Sequence, residues 1–142
     1  MESNFEYDQQ HSNELESTAS LFAKAVRHHR YGELSKAESL YKRILARDSN
    51  HAGAMKNYGV LCFQFDDFHL AEEIFEKAYA STPFDEKLAV NLLICKTKLD
   101  KPGEVLPIIN AILTNNPENK TAKDIQARLQ QTEKKEVAEE GV

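Results

Sequence analysis

The sequence predicts an all-α chain of helical hairpins repeated at constant spacing, and three observations carry that expectation. Residues 52–85 hold two amphipathic patterns of helical period, with Met55, Tyr58, Gly59 and Cys62 on the first and Ala71, Phe75, Ala78 and Tyr79 on the second. Asp66-Asp67 interrupts them and offers an N-cap for the second helix, and Thr82-Pro83 ends it, because a proline past the last turn cannot continue a helix. From Pro83 a step of 34 residues leads forward to Pro117 and back to Ser49; the same step carries Ala71 to Ala37 and Val105, and Phe75 to Tyr41 and Ile109.

The small residues matter as much as the large ones. Gly59 and Ala71 fall where the two helices of the hairpin cross, with Tyr58, Phe75 and Tyr79 to fill the space around that contact. A glycine inside a helix costs about 1 kcal/mol relative to alanine, so close packing accounts for Gly59 better than local preference does. A 34-residue step with small, aromatic and proline positions in phase resembles the tetratricopeptide repeat (TPR), whose single hairpins cannot bury their apolar faces and must stack. The resemblance implies a right-handed superhelical stack of three hairpins, at 18–51, 52–85 and 86–119. An acidic, flexible segment at 1–17 would precede it, and a capping helix with a charged tail at 120–142 would follow.

In chain order, residues 1–13 are polar apart from Phe5 and Tyr7 and read as disordered; the alternative is a short segment whose two aromatics dock into the chain's own groove or a second copy. Ser17 or Thr18 can cap a helix over 20–31, with Leu21, Phe22, Ala25 and Val26 as its stripe. Gly32 turns the chain into a helix over 34–47. In the third copy a helix over 88–99 is apolar nearly all round, as for one packed on both sides. Pro102 and Pro107 make the next helix irregular. A start near Gly103 keeps Pro107 close to the first turn, where its missing N–H and its ring are least damaging. A last helix over 120–138 has one narrow stripe, Ala122, Ile125 and Leu129, and is charged on all sides beyond Thr132, as suits the end of a repeat stack.

Composition fits this reading. The 142 residues, 41% hydrophobic and 29% charged, suffice for one domain with a real core, with no apolar run near membrane-spanning length and no basic-then-apolar leader. The default location is cytoplasmic. Cys62 and Cys95 are 33 apart, out of repeat phase, and read as reduced, buried thiols. None of the five histidines shows the i, i+4 spacing of a helical zinc site. No phosphate loop, nucleophile motif or metal-ligand motif is present, so no enzyme, cofactor or metal is expected. The net charge of −5 is uneven: residues 1–20 hold five acids and no base, and the span 21–132 is mildly basic. That basic excess is too weak and too dispersed for nucleic acid.

In TPR stacks the first helices of successive hairpins line a concave groove. The resemblance therefore implies an interaction adaptor binding a peptide or partner segment. Phe22, Val26, Val60, Phe63, Val90 and Ile94 would bury the partner, and Lys56, Asn57, Lys87 and Asn91 would orient it. Asn57 and Asn91 lie one 34-residue step apart, and an amide offers a donor and an acceptor to an extended backbone. The pair is similar to the asparagine ladder of O-linked N-acetylglucosamine transferases; equally, asparagine here can serve hydrogen bonds that hold the stack. The carboxylate clamp of co-chaperone TPRs wants Lys and Asn on the first helix, Asn on the second, and Lys and Arg on the third. Phe22, Val26, Asn57, Lys87 and Asn91 occupy those places, and two of the five match. Other classes compatible with the sequence are a self-associating scaffold, forming a homo-oligomer, and a small secretion-type chaperone.

Overall fold

The computed structural model describes residues 16–141, so the expectations for 1–13 lie outside the described residues. Among these there are seven helices and no strand: α1 Thr18–Arg30, α2 Leu34–Arg47, α3 Ala52–Gln64, α4 Phe68–Ser81, α5 Glu86–Lys98, α6 Pro102–Asn115 and α7 Lys120–Glu140. The chain forms two compact units that meet within α3, one running to Leu61 and the other from Cys62. In the first, α1 packs on α2. In the second, α4 packs on α5, α5 on α6 and α6 on α7, and α5 also touches α7.

Side chains set one step apart start the helices. Ser17, His51, Asp85 and Asn119 each accept from the backbone N–H three residues on, of Ser20, Ala54, Leu88 and Ala122, at 3.0–3.1 Å. Each satisfies one of the donors that a helix N-terminus leaves without an intrahelical partner. The turns α1–α2, α3–α4 and α5–α6 repeat as strictly. Their left-handed residues are Gly32 at φ 77°, Asp66 at φ 59° and Asp100 at φ 54°. The residue after each closes the turn by donating its N–H to the carbonyl five back: Glu33 to His28, Asp67 to Cys62 and Lys101 to Lys96. Asp67 then caps α4, accepting from the Leu70 N–H at 3.2 Å.

Burial carries the same period. Ala37, Ala71 and Val105 are 0%, 0% and 1% exposed, and Tyr41, Phe75 and Ile109 are 0%, 1% and 0% exposed. A small or β-branched residue and a large one therefore alternate on the second helix of each pair, as interdigitated packing requires. α6 opens on Pro102 itself, one residue before the expected start, because a proline at the first helical position lacks only an N–H that would be unsatisfied anyway. Pro107 lies inside α6, which continues through it to Asn115.

A buried polar network pins three elements of the second unit. The Lys96 ammonium on α5 is 2.7 Å from Glu72 and 2.6 Å from Glu76 on α4, and 2.8 Å from Glu104 on α6. Lys101 donates to both Glu72 oxygens at 2.9 Å. Burial alone would raise the Glu72 carboxyl, but Lys96 and Lys101 hold it below its ordinary value. Burial would likewise lower Lys96, and the three carboxylates raise it instead. Glu86, at the start of α5, accepts from Asn116 and Asn119 at 2.9 and 2.7 Å, which ties α5 to the α6–α7 turn and holds its carboxyl low.

Candidate functional site

The ten candidate partner-binding residues divide between the two units. In the first, Phe22 and Val26 on α1 and Lys56, Asn57 and Val60 on α3 are all half-buried. The Phe22 ring lies 5.0 Å from that of His51 and directly over Gly53, where a Cβ would come within 2.7 Å of the ring tip. Gly53 therefore keeps space for Phe22, which makes Phe22 a packing residue as well as a surface one. Asn57 has a partner in its own unit: its amide engages the Tyr41 hydroxyl, drawing against the burial that raises that phenol. The hydroxyl also lies 3.2 Å from His29 Nδ1.

In the second unit, Phe63 packs edge-on against Phe68 at 5.0 Å. On α5, Lys87 is exposed, and Val90, Asn91 and Ile94 are half-buried on one face, while Leu88, Ala89, Leu92 and Leu93 are buried. Asn91 differs from Asn57, for its side chain makes no hydrogen bond among the described residues. The same face of α5 continues into a cleft against α7, lined by Ile94, Thr97, Lys98, Thr121, Asp124, Ile125 and Arg128. The α7 residues are absent from the expected set although the spacing identifies them. Asp124, Ile125 and Arg128 stand one step of 34 after Val90, Asn91 and Ile94.

The groups with conspicuous chemistry are engaged elsewhere. Glu72, Glu76 and Glu104 bring carboxylate oxygens within 4.8 Å of one another, a spacing suited to a cation. Lys96 Nζ already bonds to all three, so the cluster is satisfied by an ammonium. Cys95 is buried, its thiol donates to the Phe68 carbonyl at 3.3 Å, and burial, with the Glu72 charge nearby, pushes its pKa up to about 11. A thiol so placed is a poor nucleophile and a poor ligand. No helix among the described residues is long and apolar enough to cross a membrane.

No family model matches the chain, and no curated protein matches it by sequence. Solved structures do. The first TPR of Spaghetti (RPAP3), bound to an HSP90 peptide, superposes with a TM-score of 0.72 at 19% identity, over 81% of this chain and 91% of that one. The chain has the tetratricopeptide-repeat fold. The TPR domain of Arabidopsis OM64 is similar with a TM-score of 0.71 at 20% identity, covering 80% of this chain and 94% of that one. YrrB, a TPR protein described as having an unusual peptide-binding site, gives 0.70 at 22% identity over 82% of this chain and 60% of that one. At these identities the likeness is one of TPR architecture, and the site must be argued from this chain's own residues.

Proposed function

We propose that this TPR chain is a non-catalytic protein-interaction module, taking a peptide or partner segment on the exposed face of its leading helix α5. The observation that carries the reading is the exposed face of α5. Two β-branched side chains, Val90 and Ile94, flank an Asn91 amide that has no partner among the described residues, on a helix whose other sides are buried. Apolar contact beside a group that both donates and accepts suits an extended backbone. Lys87 gives that face a basic rim; Phe22, Val26, Lys56, Val60 and Phe63 are the matching candidates on α1 and α3. Peptide binding in the descriptions of the RPAP3 domain and YrrB supports the class of function. The HSP90 peptide of the former does not transfer, because Phe22 and Val26 stand where a carboxylate clamp needs Lys and Asn.

The test separates the two asparagines. The full chain is immobilised, and partners captured from a cell extract are quantified for wild type, Asn91→Ala and Asn57→Ala alongside their melting temperatures. Asn91→Ala reduces capture at an unchanged melting temperature. Asn57→Ala lowers the melting temperature, since Tyr41 loses a buried hydrogen bond of about 1 kcal/mol. Capture untouched by Asn91→Ala and by Ile94→Asp would remove the α5 face from the function. A second reading, self-association, rests on Phe84, which is 86% exposed beside a recess lined by Tyr79, Ala89 and Ile112. Light scattering at two concentrations, with and without Phe84→Ser, decides it.

A further inference from the structure

Ser17, His51, Asp85 and Asn119 begin their helices one 34-residue step apart, and the four acceptors are not equivalent. Three of them present an oxygen, which goes on accepting whether or not a proton is added nearby. His51 presents Nδ1, which accepts from the Ala54 N–H at 3.0 Å. That bond requires a bare Nδ1, so the ring is neutral and carries its proton on Nε2. A second proton would turn the acceptor into a donor aimed at another donor. It would also set a positive charge at the end of α3 where the peptide dipoles already sum to a partial positive charge. The half-buried ring is a packing surface as well: the Phe22 ring of α1 lies 5.0 Å from it and over Gly53 of the same turn. The charged groups around it offer no compensation. In the α2–α3 turn, the Asp48 carbonyl accepts from the His51 N–H at 3.2 Å, and its carboxylate is taken by the Asn50 N–H at 3.1 Å. Arg47, at the end of α2, donates to the Glu16 carbonyl. α3 has no charged residue before Lys56, and no carboxylate pairs with the His51 ring among the described residues.

We propose that His51 is an acid-sensitive latch on the first turn of α3, closed while Nδ1 is bare and loosened when that nitrogen takes a proton. The inference stands apart from the α5 face and concerns the first unit alone. Imidazole is the side chain whose ordinary charge change falls between about pH 5 and pH 8, so a cap of this type responds where Ser17 and Asn119 cannot. The sign follows from the geometry: the cap is complete on the alkaline side of that interval and is lost as the solution is acidified. The change is local, because the buried side chains that join α1 to α2, among them Leu21, Ala25, Ala37 and Ile44, do not titrate. What loosens is the turn on which the Phe22 ring rests, so acid alters the presentation of an aromatic that also reaches the surface. His28 and His29 belong to the other end of α1, with Nδ1 atoms 3.4 Å from Glu33 and 3.2 Å from the Tyr41 hydroxyl, and the experiment must separate them from His51.

The test uses the full chain and two nuclear magnetic resonance readouts. Ring nitrogen shifts of His51 at about pH 7.5 should show the Nε2–H tautomer; an Nδ1–H tautomer overturns the proposal. Amide hydrogen exchange is then measured at about pH 7.5 and about pH 5.5, each rate divided by that of an unstructured chain at the same pH. Protection of the Ala54 amide falls about fivefold in wild type on acidification, the loss of one typical helix cap. The Ser20 amide, held by Ser17, keeps its protection and serves as the internal control. His51→Asn supplies the non-titrating acceptor that begins α7, and His51→Ser the one that begins α1; in both variants Ala54 keeps one level of protection at the two pH values. Wild-type protection that does not change with pH overturns the proposal. So does a fall of equal size in wild type and both variants, which would assign the effect to His28, His29 or a carboxylate.

Discussion

Lys96 and Glu72 are 5% and 6% exposed, and their neutralisation is local. Removing Lys96 leaves Glu72 with Lys101 alone and takes the shared ammonium from Glu76 and Glu104, so Lys96→Met costs about 2–3 kcal/mol in urea denaturation. The pH dependence has a definite sign. Glu72 has a native pKa below its ordinary 4.5, so its contribution is complete above that value and is lost as pH falls through the native pKa; stability should decline from about pH 5 downward, less steeply in Lys96→Met. Lys96 is raised above its ordinary 10.5, so its contribution is complete below that value and fails only as the solution becomes more alkaline. Little of this could be read from the sequence. The partners are 8 to 29 residues apart and sit on three elements, so no local spacing announces them.

Among the elements, the turns carry the clearest energetic margin. Gly32 meets a left-handed backbone without strain, while Asp66 and Asp100 adopt it as side-chain-bearing residues. Asp66→Gly and Asp100→Gly should each raise stability by about 0.5–1 kcal/mol, measured by chemical denaturation. In α6, Pro107 is exposed and denies the Gly103 carbonyl its intrahelical donor, so Pro107→Ala should stabilise by about 1–3 kcal/mol. The sequence was legible here in proportion to how local the signal is. Asp67 could be named as a cap and Gly32 as a turn from residue type alone. Histidine is not an expected cap, and the role of His51 emerges only from its place one step after Ser17 and one before Asp85.

Over the whole molecule the fold was readable because a 34-residue period is a global signal that survives local substitution. Ala71 and Val105 differ in size, yet both are buried in phase. The candidate site was less readable, because phase assigns a residue to a face and leaves open what else claims its side chain. Asn57 and Asn91 share a phase; one is engaged by Tyr41 and the other is not. The apolar stripe of α7 suggested a covering helix, whereas its phase also places Asp124 and Arg128 beside α5. Asn119 begins α7 with the same side-chain bond that begins α5. Copying residues 86–119 and splicing the duplicate in after Asn119 would thus leave every local instruction in frame. The lengthened chain should gain helical circular dichroism in proportion to two added helices and still unfold cooperatively, making the seam at Asn119 a natural place to build from.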